Sequence, residues 1–229
     1  MKKKDSKIFL LIVISIFSVL SSVWCVSPIH SYADSHNGDG KEAIFMIESP
    51  AAGKSHMHKQ LYPHYSVINP EELRKDAWML LQKWNEENPD TLILVNGEEH
   101  AVSEYSNILM NNYEEANILM VELTYLLSRL LAEEAYESTI NKKDSFVYQY
   151  DTDIIYTERI KREMVKAKEQ GFNIVLLYVF APLEVCFERN REQDKPASED
   201  VVRGKWNEVQ ESWNELKELS IIDEIKEIK

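Results

Sequence analysis

The chain has 229 residues, 44% of them hydrophobic, and a formal net charge of −13. That apolar fraction excludes a disordered chain, and the acidity argues against nucleic acid or an anionic membrane as the body's partner, because phosphate-rich surfaces repel it. With only six Gly and seven Pro, no stretch has the composition of a long linker, and the length suits one α/β domain behind a short leader.

Residues 1–33 stand apart. Four lysines and one aspartate in Met1–Lys7 precede a 19-residue uncharged, mostly apolar run, Ile8–Val26. Small residues at Ser31 and Ala33 fit a signal-peptidase site before Asp34. The expectation is an export signal cleaved after Ala33. The alternative is an uncleaved membrane anchor, since the run just reaches spanning length. Lipid attachment at Cys25 is disfavoured by the bulky Trp24 before it. Because residues 1–33 carry a net +3, the remaining body carries −16. Asp34–Gly40 and the two residues after it read as a polar spacer, leaving residues 43–229 as the folded domain.

Ala43–Glu48 (AIFMIE) is an apolar run expected as a buried strand. Glu48-Ser49-Pro50-Ala51-Ala52-Gly53-Lys54-Ser55 follows, a phosphate-loop pattern G-x-x-x-x-G-K-[ST] with glutamate at its first position. Backbone N–H groups of residues 51–55 (Ala51, Ala52, Gly53, Lys54, Ser55) would converge on phosphate oxygens at a helix start. Lys54 would reach the β and γ phosphates and Ser55 would bind magnesium. The first glycine eases a turn and is not a ligand, so Glu48 damages the pattern less than loss of Gly53 or Lys54 would.

A short helix to Leu61, a strand at Ser66–Asn69 and a helix from Pro70 to about Asn85 come next. Thr91–Val95 is expected as a strand or a buried loop. Tyr113 to about Tyr136 is a long helix, Ser145–Gln149 a strand, and Thr157–Gln170 a helix stopped by Gly171. Asn173–Phe180 (NIVLLYVF) is the clearest core strand, with a helix from Pro182 to about Gln193 behind it. Ser198 caps a last helix whose Val202, Trp206, Val209, Trp213 and Leu216 form an apolar stripe, and Ile221–Ile228 is a last strand. Alternating strands and helices imply an α/β fold, a mostly parallel sheet with helices on both faces.

Ile68–Arg74 (INPEELR) ends the second strand near the same crevice as the phosphate loop. A carboxylate there can take a proton from an acceptor hydroxyl; Glu71 is the first choice and Glu72 the second, with ordinary first-turn helix acids as the alternative. Arg74 is a candidate for an anionic substrate. His56, His58 and His64 have spacings of two and six, which do not share one helical face, and read as surface or acceptor-pocket residues rather than zinc ligands. Cys186 reads as a packed helix residue.

The loop followed by I-N-P-E-E-L-R resembles the zeta-toxin family of P-loop kinases, whose strand ends in an acidic turn. The resemblance implies a P-loop kinase-like fold and puts the catalytic base on Glu71, with glutamate replacing aspartate. Tyr113-Glu114-Glu115-Ala116 resembles the family's Glu-Ala segment and implies Glu115 in the acceptor pocket. Gln149-Tyr150-Asp151-Thr152 falls where the family has an acid, glycine and threonine; Thr152 matches, and Asp151 or Asp153 is implied near magnesium or the acceptor, with turn or cap residues as the alternative. Leu183–Arg191 (LEVCFERNR) resembles a lid helix, making Arg189 and Arg191 phosphate-contacting candidates, with Lys195 and Arg203 further ones. Ordinary surface ion pairing is the alternative for each. The likeness spans Ala43 to about Leu219 and is patchy over Asn88–Asn112. It implies ATP- or GTP-dependent, Mg2+-assisted phosphorylation of a small hydroxylated molecule, a UDP-N-acetyl sugar in well-known members. It leaves any antitoxin partner unidentified. A nucleotide-binding module without turnover, acting through a partner, is the rival expectation.

Overall fold

A computed structural model describes residues 40–52, 54–87, 92–95, 98–101, 118–150, 154–193 and 196–229; the expected signal or anchor segment at 1–33 lies outside them. Among the described residues no helix is long and apolar enough to cross a membrane. The chain forms two compact units, one spanning Glu72–Leu131 and the other residues 40–71 with Ala132–Lys229.

The second unit is built on a five-stranded sheet: β1 (Glu42–Glu48), β2 (Ser66–Ile68), β5 (Phe146–Gln149), β6 (Asn173–Val179) and β7 (Glu224–Ile228), in the order β2-β5-β1-β6-β7. Every pairing in it is parallel. Its helices are α1 (Lys54–Leu61), the C-terminal part of α3 (Ile118–Lys142), α4 (Ile154–Glu169), α5 (Leu183–Arg191) and α6 (Glu199–Leu216). The fold is the mostly parallel, P-loop kinase-like α/β sheet expected from the alternation.

β1 lies at the centre because its apolar run satisfies two faces at once. Ala43 to Ile47 are all fully buried, as a strand covered on both sides requires. Ile44 and Met46 face an aliphatic layer with Val147, Val175, Leu177 and Val179, against which Met57 of α1 packs. Phe45 faces the opposite layer, which is aromatic: Phe45 and Tyr136 each meet Phe146 edge to face, and Tyr178 stacks on Trp213 of α6. Helices thus cover both faces, and the apolar stripe of α6 is core packing. β6 buries six of its seven residues and pairs with β1 along its whole length.

The helix ends follow their local chemistry. Gly171 has φ 87° and stops α4; its N–H bonds the Lys168 carbonyl, and the Phe172 N–H bonds Ala167. Ser198 caps α6 by accepting the Val201 N–H. Asp223 closes β7 onto β6, accepting the Ile174 N–H at 2.7 Å and pairing with Lys168.

The other unit holds α2 (Leu73–Glu87), the first part of α3, and an antiparallel pair of β3 (Leu92–Val95) and β4 (Glu98–Ala101). Within the expected 91–95 segment, Leu92–Val95 is a strand, though of this separate hairpin rather than of the main sheet. The expected helix from Pro70 instead starts at Leu73, because the Asn69 side chain accepts the Glu71 N–H and holds Pro70–Glu72 as a turn.

Candidate active site

β1 is where the strand order turns back: the chain leaves it for β2 on one flank, and β5 and β6 later insert on either side. Ligands of open parallel sheets sit beyond the strand C-termini at such a point. The residues after β1 therefore occupy the position where chemistry is expected.

Ser49 anchors the loop. It is fully buried, its N–H bonds the Val179 carbonyl at 3.0 Å, and its Oγ accepts the Ala181 N–H at 3.1 Å. The same Oγ shares a 3.4 Å hydrogen bond with the Tyr178 hydroxyl, which Gln210 of α6 also contacts. The Ala52 N–H returns to the Ser49 carbonyl at 3.1 Å, closing a turn in which Ala51 adopts φ 55°. A left-handed residue beside ordinary ones points successive N–H groups into one concavity, an arrangement that suits anions.

The loop delivers the chain to α1, whose first turn carries no acidic residue. The first N–H groups of a helix lack partners within it and favour anions. These features fit a nucleotide's phosphates. Gly53 lies outside the described residues, and Lys54 and Ser55 are placed in the helix with their side chains outside the description. Asp151, Thr152, Glu115 and Lys195 also lie outside it, so the expected magnesium ligands Ser55 and Asp151 do too. Among the described residues no group of three or more His, Cys, Asp or Glu is gathered to hold a metal.

Of the expected lid cations, Arg189 reaches the loop. Its Nη1 donates to the Ala51 carbonyl at 3.1 Å and to the Ala52 carbonyl at 3.2 Å. Arg191, two residues on, points to α6 and pairs with Glu199 at 2.7 Å, both side chains exposed. The Arg203 guanidinium lies 5.2 Å from the Phe187 ring centre. Arg74 belongs to the other unit, with its guanidinium 4.2 Å from the ring centre of Tyr125.

The second strand ends in Asn69-Pro70-Glu71-Glu72. The Asn69 Oδ1 accepts the Glu71 N–H at 2.9 Å, and both glutamates are exposed. The Asn69 Nδ2 donates to Gln149 Oε1 at 2.8 Å, and Gln149 Nε2 lies 2.6 Å from His58 Nδ1. All three side chains are buried. His58 is thus a core residue of α1, not a surface one, while His64 is exposed. Cys186 is fully buried, packed with Ala181 and Val202.

Tyr150 stands where the zeta-toxin pattern has an acid, and it is a core residue. It stacks on Tyr148 at 4.1 Å between ring centres, and its hydroxyl donates to Glu163. Glu163 also accepts from Arg159 Nε at 2.8 Å, and its backbone carbonyl accepts from Tyr136. Burial, the largest influence, raises the Glu163 carboxyl above its ordinary range despite Tyr150 and Arg159. Burial likewise raises the Tyr150 hydroxyl well above its usual value.

Sequence reasoning did not single out Ser49, Gln149, Asn69 or Tyr178. The one available signal was Phe146–Gln149 ending in an amide on the face that carries Val147.

A family model described as an AAA domain matches residues 44–216. No protein of curated function matches the chain. Among solved structures, one from the PezAT chromosomal toxin–antitoxin system of Streptococcus pneumoniae is 12% identical with a TM-score of 0.54, covering 97% of this chain and 76% of that one. Dephospho-CoA kinase from Campylobacter jejuni is 18% identical with a TM-score of 0.39, covering 82% and 89%. The tunicamycin resistance protein of Deinococcus radiodurans is 16% identical with a TM-score of 0.36, covering 81% and 86%. At these identities the first likeness is one of fold.

Proposed function

The chain belongs to the AAA domain family, and on that premise we propose that it is a kinase moving the γ-phosphate of ATP or GTP to a hydroxyl of a small molecule. The observation that carries this reading is the anchored loop at the C-terminal end of the central strand, with Arg189 against its Ala51 and Ala52 carbonyls. Lys54, next after Gly53, opens the helix behind it.

Phosphoryl transfer asks a protein mainly for positioning and charge neutralisation. When bound, the nucleotide supplies the transferable phosphoryl group, and magnesium, held through Ser55 and Asp151, shields its charge. The backbone N–H groups from Ala51 to Ser55 would hold the phosphates, that of Ala52 once it leaves the Ser49 carbonyl, and Lys54 would neutralise them. Arg189, already at the loop, is placed to leave the carbonyls for phosphate oxygen. Glu71 orients the acceptor hydroxyl and receives its proton. Arg191, Lys195 and Arg203 are assigned to the lid, and Thr152 to the acceptor. The acceptor class proposed from the zeta-toxin resemblance is a UDP-N-acetyl sugar.

The export expected from the lysines, apolar run and Ser31-Tyr32-Ala33 of residues 1–33 belongs to the same proposal, and it makes the nucleotide's source a question of destination. A second reading, a nucleotide-binding module acting through a partner, is favoured by Tyr150 being locked into the core where the family pattern has an acid.

The test is Mg2+-dependent transfer from γ-labelled ATP or GTP to a pool of hydroxylated metabolites, read by mass spectrometry. The kinase reading expects Glu71→Gln to keep nucleotide binding and lose transfer. Binding without transfer to any acceptor by the unsubstituted chain establishes the module instead.

A further inference from the structure

We propose that His58, Gln149 and Asn69 form a directional hydrogen-bond chain through which α1 sets the turn carrying Glu71, making Gln149 and His58 positioning residues for phosphoryl transfer. The catalytic part of this rests on the kinase reading; the chain itself rests on geometry.

Its direction follows from one fixed donor. The Glu71 backbone N–H can only donate, so the Asn69 atom 2.9 Å away is the carbonyl Oδ1. The other Asn69 atom is then the amide Nδ2, and the Gln149 atom 2.8 Å from it must accept, so it is Oε1. Gln149 therefore turns its Nε2 to His58 Nδ1 at 2.6 Å, with Met46 Sδ at 3.9 Å beside it. An amide nitrogen donates, so Nδ1 must accept, and His58 carries its proton on Nε2 as a neutral ring. Reversing any one group sets donor against donor or acceptor against acceptor. The three side chains are 7%, 0% and 4% exposed in the order His58, Gln149, Asn69, so water offers no easy relief.

The elements joined are the two that phosphoryl transfer has to hold in register. His58 lies one turn after Lys54 on α1, behind the phosphate loop. Asn69 follows β2, and Gln149 ends β5, which lies between β2 and β1. The chain thus runs from the donor side of the site to the acceptor side beneath the strand ends. A misplacement of about 1 Å between reacting groups can cost on the order of 100-fold in rate, so a link of this kind bears on turnover rather than on binding.

Asn69→Asp tests the direction. Aspartate can accept the Glu71 N–H but has no N–H for Gln149. Gln149 must turn its amide to donate to the introduced carboxylate, presenting Oε1 to His58, whose Nδ1 must then carry a proton. In full-length chain with 15N-labelled histidine, the His58 Nδ1 resonance is expected in the unprotonated range for the native sequence and in the protonated range for Asn69→Asp, two hydrogen bonds away. The same Nδ1 state in both overturns the relay.

For positioning, Gln149→Leu is expected to lower γ-phosphate transfer from ATP or GTP about 10- to 100-fold with Mg-ATP affinity held within about twofold. Gln149→Glu can accept from Asn69 Nδ2 and from a His58 Nδ1–H, and is expected to recover most of the transfer. Affinity falling in step with transfer, or no recovery in Gln149→Glu, overturns positioning in favour of simple packing. Should Gln149→Leu fail to fold, Gln149→Glu and Asn69→Asp carry the test. No transfer by the unsubstituted chain overturns the kinase reading alone, and the resonance then decides the relay.

Discussion

Arg189 Nη1 donates to the Ala51 carbonyl at 3.1 Å, tying an exposed cation of α5 to the backbone of the phosphate loop. The contact is made to carbonyls, the groups a phosphate does not use, so the same guanidinium can turn to phosphate oxygen without α5 moving far. Arg189→Ala is expected to weaken nucleotide binding and to lower transfer by about 100- to 1,000-fold, the range of lost charge-stabilising donors. Arg189→Lys is expected to recover little, because a point charge does not replace a planar fork. Isothermal titration with Mg-ATP beside transfer rates checks both.

The left-handed Ala51 supports a second prediction. Alanine at φ 55° carries a conformational cost that glycine avoids, about 1–2 kcal/mol. Ala51→Gly is expected to raise stability by up to about 1 kcal/mol, less whatever glycine gains in unfolded-state freedom. Ala51→Val is expected to lower stability and nucleotide affinity together, because a β-branched residue resists this backbone. Denaturant midpoints and nucleotide titration of the two variants give the answer.

How much of this was legible in the chain depends on whether a residue's role is local. The strands of the main sheet, the Gly171 stop, the Ser198 cap and the α6 stripe all follow from period and end chemistry, and each is present. The α2 start was misplaced because Asn69 competes for the Glu71 N–H, an interaction that overrides proline's preference for a helix's first turn. His58 read as a surface or acceptor-pocket residue because its partner Gln149 lies 91 positions away. Tyr150 had no local mark at all: its meaning comes from Glu163 one element later and from rings of β1 and β5.

Glu163 gives a stability prediction with a sign. Its carboxyl is raised by burial above the ordinary value of 4.5, so the native state holds a proton that the unfolded chain has begun to release. Its contribution is greatest below the unfolded value and is lost as pH rises through the folded one. Glu163→Gln is expected to flatten the stability profile over that interval, measured by chemical denaturation at a series of pH values. Glu163→Ala takes the carboxylate from the half-buried Arg159 and the acceptor from the buried Tyr150 hydroxyl, and is expected to cost about 1–3 kcal/mol at neutral pH.

Ser49 yields a prediction about the loop rather than the core. Ser49→Ala removes the acceptor of the Ala181 N–H and the partner of the Tyr178 hydroxyl, both in buried surroundings. The expected loss is about 1–3 kcal/mol, with weaker nucleotide binding because the loop loses its tie to the end of β6. Thermal unfolding with and without Mg-ATP checks it: the nucleotide-induced rise in Tm should shrink.

The central place of β1 also sets a problem in time. During synthesis its apolar residues emerge first among the strands, yet the Glu42 N–H bonds a hydroxyl 103 positions later, at Ser145, and β6 is made later still. At typical rates of chain growth that is a wait on the order of 5–20 s for an unpaired, water-averse segment. The interval over which this segment is open to aggregation is therefore written into the order of its strands.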